Sequence, residues 1–269
     1  MNKYFSVVLL LLVNFLFSQK LNVHYKQWAQ TDINDPSYIE EDDLILQIRN
    51  HSSIYYSQKY HFIMTNQQKA MEMGINPNKI SNNYIIQKDG DKIFHIRPIE
   101  RDFVKYQELE MPIWKLENEE KTIESLKAKK AVCEYRGRAF TAWYTDSIPI
   151  SDGPFKFKNL PGLVLEVESA DGHYKIKLNG IEKEESELEF PKAITVKNRA
   201  EYLNELKKFA DNPSYKMIQR DNANTFKYKT YVDGKEVNNS EKYKLFNKFV
   251  WDFMKIHNNP IEKDDLWIR

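Results

Sequence analysis

The residues best equipped to hold a ligand lie close together in the middle of the chain: Arg136, Arg138, Asp146, Ser151 and Asp152, with Trp143 and Tyr144 between them. Fixed carboxylates and guanidiniums around a turn can grip a small molecule or a protein partner. The same residues serve structure if Asp152 accepts from the N–H groups of its own turn and the arginines pair with nearby acids. Structural use is the commoner one, so these seven are candidates for binding, and no residue is assigned to catalysis. The histidines are His24, His51, His61, His95, His173 and His257, and none stands in a His-Glu-x-x-His pair or a zinc-spaced Cys/His cluster. The sequence carries no Gly-x-Ser-x-Gly elbow, no Gly-rich phosphate loop and no dinucleotide fingerprint. No metal or cofactor is therefore expected. A hydrolase would need Asp146 or Asp152 to meet His95 or His173 at about 3 Å inside a pocket. Cys133 stands in a β-like stretch and reads as a small packed thiol.

Around these candidates the chain is unusually constrained. Residues 142–164 hold Pro149, Pro154, Pro161, Gly153 and Gly162, in a protein with only 8 Gly and 10 Pro in all. Proline fixes φ and glycine opens positive φ, so few alternative paths remain to this stretch. The flanking segments alternate. Residues 138–144 put Ala139, Thr141 and Trp143 on one face and Phe140, Ala142 and Tyr144 on the other. Leu163, Leu165 and Val167 share a face, turn at Asp171-Gly172, and return as Tyr174, Ile176 and Leu178. Residues 44–48 and 54–56 read as adjacent strands, residues 84–96 as a hairpin around Asp89-Gly90, and residues 226–231 as a strand before Asp233-Gly234.

Three helices are predicted: residues 57–73 ending at Gly74, residues 199–210 capped by Asn198, and residues 241–257 capped by Ser240. The last carries Leu245, Phe246, Phe249, Val250, Phe253 and Ile256 at helical spacing, a stripe expected to face the core. The sum is an α+β or mainly-β fold: a large curved antiparallel sheet, half-barrel-like, with two or three packed helices.

The N-terminus, with Lys3 ahead of a short apolar run that reaches Ser18, reads as a secretory signal peptide over residues 1–18. The run is too short to span a bilayer, so no membrane span is expected after leader cleavage. With Cys133 the sole cysteine, no lipid anchor is expected. Residues 19–269 then form one domain that is periplasmic or secreted and large enough to need no disulfide. A net charge of +1 gives no electrostatic case for nucleic acid. The acid-rich run 182–189 reads as a solvated loop or edge. The load of 16 Tyr, 15 Phe and 5 Trp would suit an apolar cleft, though large sheets also fill themselves with rings.

The residues Ile148, Pro149, Asp152, Gly153 and Pro154, followed by Asn159-Leu160-Pro161-Gly162-Leu163-Val164, resemble the GLPGLI family of exported proteins from Gram-negative bacteria. Asn159 replaces the first glycine of the naming motif and Val164 its final isoleucine. Asn tolerates left-handed backbone and Val suits a strand, so neither departure should break the turn. The resemblance covers about 35 residues and implies no established function and no catalytic residue. The sequence as a whole favours a non-enzymatic module that binds an apolar ligand or a cell-envelope protein, with a hydrolase or a structural assembly protein as the alternatives. The expected layout also looks like the half-barrels that carry lipoproteins across the periplasm.

Overall fold

The computed structural model of the chain describes residues 20–73, 81–183, 192–223, 229–232 and 234–265. The leader at 1–18, Gly74, most of the acid run, residues 226–228 and Asp233 lie outside them. Alternating apolar and polar residues form β1 (Leu21–Gln30), β2 (Ile39–Arg49), β3 (Ser52–Ser57), β4 (Ile85–Asp89), β5 (Lys92–Ile99) and β6 (Asp102–Glu108). A second run forms β7 (Lys115–Ile123), β8 (Leu126–Tyr135), β9 (Arg138–Thr145), β10 (Leu163–Ser169), β11 (Tyr174–Lys183) and the short β12 (Ala193–Thr195). All twelve make one open sheet, in the order β12-β6-β5-β4-β3-β2-β1-β11-β10-β9-β8-β7. Two antiparallel meanders thus meet where β1 pairs with β11, and only β12 runs parallel to its neighbour. β13 (Thr230–Val232) and β14 (Lys235–Val237) form a separate hairpin.

One face of the sheet turns inward. Phe140, Ala142 and Tyr144 of β9 share the buried face, as expected, and Arg138 is buried at the start of the same row. The Arg136 guanidinium, in the β8–β9 turn, lies 2.7 Å from Glu108 at the end of β6, and the Tyr135 hydroxyl donates to the Glu110 carbonyl at 3.2 Å. β6 and β8 each lie one strand in from opposite edges, so contact between their ends requires a strongly curved sheet.

Residues 151–162 do not run over the surface as a loop normally does. They fold into the concave side as a plug, with Phe155, Phe157 and Leu160 in the main apolar cluster beside Tyr25, Ile86, Ala131 and Phe140. The tight path is held by backbone bonds from Leu163 N–H to the Ile148 carbonyl at 3.0 Å and from Val164 N–H to the Asp152 carbonyl at 2.9 Å. Asn159 is left-handed at φ 70°, as its substitution for glycine anticipated. β10 carries a bulge between Val164 and Glu166, so strict alternation fails there: Val164 is buried in the same cluster as Leu163, Leu165 and Val167.

Five described helices flank the sheet, where two or three were expected. The predicted 57–73 helix is two: α1 (Gln58–Thr65), capped by Ser57, and α2 (Gln67–Glu72). The break falls at Asn66, where the Thr65 hydroxyl donates to the His61 carbonyl at 2.9 Å and the Asn66 amide to that of Phe62, competing with the helical ladder. α3 (Arg199–Asp211) is capped by Asn198, as predicted, and packs Tyr202 and Leu206 on Ile99, Val104 and Tyr106. α4 (Tyr215–Ala223), which the sequence reading did not identify, is tied by Lys216 to Asp102 at 2.8 Å and by Arg220 to Glu100. α5 (Asn239–Lys255) is capped by Asn238 rather than Ser240. Its expected core stripe is a correction: only Val250 is buried, while Leu245 and Ile256 are exposed. The helix leans on α3 and α4 instead of the sheet, through Trp251 Nε1 to the Ala210 carbonyl and Asn247 Oδ1 to the Ser214 N–H, both at 2.8 Å.

The two glycines of the plug are needed for space. A Cβ at Gly162, whose φ is +150°, would collide with the Thr145 carbonyl, and one at Gly153 would meet Phe157 and Val164. Gly172 also has positive φ, +74°, but nothing lies within 4 Å of its Cβ position. Gly162→Val should therefore cost at least about 2 kcal/mol in urea unfolding, against roughly 1 kcal/mol for Gly172→Ala. Equal losses at the two sites would show that the approach to Thr145 is slack.

Candidate functional site

The strands place polar side chains at inward positions where their register demands apolar ones. Gln27 lies between Tyr25 and Ala29 on the inner face of β1, Lys88 follows Ile86 on β4, and His95 and Arg97 follow Ile93 on β5. Glu108 completes the inner row of Val104 and Tyr106 on β6. Unpaired, such groups would be costly to bury. The plug and the C-terminal strap, residues 257–265, supply most of the partners.

Lys156, fully buried at the centre of the plug, donates to Glu108 at 2.8 Å, to Glu262 of the strap at 2.6 Å and to the Tyr106 hydroxyl at 3.2 Å. Burial would raise the Glu108 carboxyl, but Lys156 and Arg136 outweigh it and hold it down at about 2. Burial would likewise lower the Lys156 ammonium; its carboxylate neighbours reverse that and keep it charged. A second buried pair anchors the start of the plug: Lys88 Nζ meets Asp152 Oδ1 and the Gly153 carbonyl, both at 2.5 Å, and the Ser53 hydroxyl donates to Asp152 Oδ2 at 2.5 Å.

The strap crosses the inner face under polar control. Arg138 donates to Asn259 Oδ1 at 2.8 Å and to the Pro260 carbonyl at 2.9 Å, and also pairs with Asp171. The Asn259 amide donates to the Gln30 carbonyl at 2.6 Å, and the Tyr174 hydroxyl to the Asn259 carbonyl at 2.5 Å. Between strap and sheet remains a partly open cavity of about 40 Å³, lined by Gln27, Thr31, His95, Arg97, Glu262 and Asp265, with Tyr84, Phe155 and Tyr174 among its walls. Four atoms of these lining residues are buried with no hydrogen-bond partner in the protein: Gln27 Oε1, Thr31 Oγ1, His95 Nε2 and Asp265 Oδ1. Burial, reinforced by Lys156, Arg97 and Arg199, holds the His95 imidazole well below its ordinary value, so it is neutral. Burial lifts the Asp265 carboxyl above its usual range against the pull of Arg97, 3.8 Å away.

The seven candidates read from the sequence do not converge. Arg136 pairs with Glu108, Glu110 and Asp264, and Arg138 holds the strap. Asp152 is buried on Lys88, and Tyr144 lies in the main core. Trp143 receives the Lys121 ammonium 4.4 Å from its ring centre. Asp146 is exposed and pairs with Lys129 at 2.5 Å, and Ser151 is exposed. Asp152 bonds to Ser53, Lys88 and Gly153, and His95 Nδ1 meets the Tyr106 hydroxyl at 3.2 Å, so a hydrolytic Asp152–His95 pair is not formed. His173 lies by Asp171 and Arg138. The cavity residues Gln27, Thr31, Arg97, Glu262 and Asp265 escaped the sequence reading. The missed signal was a polar residue interrupting an apolar i, i+2 row, visible at Gln27, Lys88, Arg97 and Glu108. Among the described residues, no group of three or more His, Cys, Asp or Glu side chains could hold a metal ion. Burial pushes the Cys133 thiol up to about 12, which makes it unreactive.

A family model described as "Protein of unknown function (Porph_ging)" matches residues 133–166, the stretch from β8 through the plug into β10. No curated protein matches this chain. Two structures of PNGF-II, in space groups C2 and P21, are similar in fold, both with a TM-score of 0.52, at 15% and 16% identity. Each likeness covers 71% of this chain and 33% of PNGF-II, so the chain spans about a third of that protein's length.

Because the depressed Glu108 value lies below the ordinary carboxylate range, its contribution is present above about pH 4.5 and is lost as pH falls toward about 2, a change of roughly 3 kcal/mol. Lys156→Met should cost about 3 kcal/mol at pH 7 by leaving the buried Glu108 with Arg136 alone and Glu262 with Arg199 alone. Protonation then relieves the under-compensated carboxylates, so urea unfolding at pH 4 and pH 7 should show the variant's deficit shrinking in acid. A deficit independent of pH would show that the network is not electrostatic.

Proposed function

We propose that this chain is an exported module of the GLPGLI type that works by binding rather than by catalysis, with the cavity beneath the strap as its binding site. The observation that carries this reading is the set of four buried, unpartnered polar atoms around one partly open cavity. Structure alone does not call for leaving such atoms unsatisfied, whereas a ligand group could satisfy them. His95 is a poor general base here, because the charges that keep it neutral also oppose the protonation such a base must undergo. The expected apolar cleft is filled by the protein's own Phe155, Phe157 and Leu160, which makes a polar ligand the better fit. Support for the family comes from the motif residues 148–164 and from the unknown-function match over the same stretch. Support for export comes from the leader-like run ending at Ser18.

Two measurements test this. Amide spectra of the full chain, titrated with small neutral, cationic, anionic and apolar fragments, should show saturable shifts at Gln27, Thr31, His95 and Asp265 for at least one class. A panel that leaves all four unmoved overturns the binding site. Mass spectrometry of the protein from its native host should find Gln19 at the N-terminus of the extracytoplasmic form; an intact Met1 in the cytoplasm overturns the exported reading.

A further inference from the structure

The four unpartnered atoms differ in what they require. Gln27 is oriented by a relay: Asn82 Nδ2 donates to Asp42 at 2.9 Å, which turns the Asn82 oxygen toward Gln27 Nε2 at 3.1 Å and leaves Gln27 Oε1 as a pure acceptor. Asp265 Oδ1 accepts as well, and the Thr31 hydroxyl can do either. His95 is set by a second relay. Lys156 donates to the Tyr106 oxygen, leaving the Tyr106 hydrogen for His95 Nδ1, so the neutral ring carries its own proton on Nε2 and donates. The cavity therefore presents two acceptors, one donor and one rotor.

Charge discriminates further. Each charged wall group already faces its opposite: Arg97 with Asp265, and Glu262 with Lys156 and Arg199. An anion entering would meet Asp265 and Glu262, and a cation would meet Arg97. An ammonium can only donate and a carboxylate only accept, whereas a hydroxyl does both. The volume of about 40 Å³ holds about three water-sized groups. The rings of Tyr84, Phe155 and Tyr174 offer an apolar surface for a carbon backbone.

Resting on the reading of this cavity as a binding site, we propose that it takes the hydroxyl-bearing end of an uncharged polyol. Two hydroxyl hydrogens go to Gln27 Oε1 and Asp265 Oδ1, a hydroxyl oxygen accepts from His95 Nε2–H, and Thr31 completes the set.

Glycerol, methylammonium and acetate added separately to the full chain test this, with the His95 ring nitrogens followed by long-range 1H–15N correlation. Glycerol should shift His95 Nε2 saturably while the two ions leave it in place. Gln27→Met, which keeps the side chain's length and removes the acceptor, should weaken glycerol about tenfold; Thr31→Val, which keeps the shape, should weaken it several-fold and decides the matter if the first variant does not fold. Saturable shifts from methylammonium or acetate alone overturn the polyol while leaving the binding reading intact. A glycerol response that never saturates, or that is unchanged in both variants, means that the cavity holds water only and overturns the proposal.

Discussion

Lys156 sits where three remote parts of the chain must meet, and the rest of the inner face is arranged around its charge. An ammonium without solvent is tolerable only if carboxylates surround it, and they come from the end of β6 as Glu108 and from the strap as Glu262. Meeting that requirement draws the plug against the sheet's N-terminal half. It also draws the strap across the concave side and, through Arg136 on Glu108, pulls the β8–β9 turn toward the same point. Apolar burial supplies most of the stability, but it has no direction. The buried ion network selects one arrangement of plug, strap and sheet from the many that would bury similar area.

The cavity follows from the same arrangement. One lysine and one crossing strap do not satisfy every polar atom of the inner rows, and four of the atoms left without a partner, on Gln27, Thr31, His95 and Asp265, line the cavity. The likeness to PNGF-II concerns fold alone and identifies no chemistry. In this chain the chemistry belongs to the side chains that occupy apolar register positions.

Much of the sheet was legible because its strands obey a two-residue period and its tight turns at Asp89-Gly90 and Asp171-Gly172 announce themselves. The positive φ of Asn159 was legible for the same reason: few residue types tolerate it. Burial of the plug was not, since lysines such as Lys156 and Lys158 ordinarily lie in solvent and their partners lie far away in sequence. The α5 stripe misled in the opposite sense. Leu245 and Ile256 keep helical spacing, yet the helix packs through Asn247, Val250 and Trp251, leaving part of the stripe in solvent. Periodicity reports a face that can be buried, and only tertiary contacts decide whether it is. Gln27 and Asp265 were invisible as a site because β1 and the strap stand at opposite ends of the chain.

The strap also bears on the timing of folding. Arg138 and Lys156 reach Asn259 and Glu262 across sequence separations of 121 and 106 residues, and Asn259 reaches Gln30 across 229. A chain synthesised from its N-terminus carries these cations for the whole interval before residues 257–265 leave the ribosome. During that interval, closing the concave side would leave Lys156 with Glu108 alone and Arg138 with Asp171 alone, so premature collapse is penalised. Residues 257–265 are therefore a late requirement of the fold: the concave side can close around its full set of partners only once they are available.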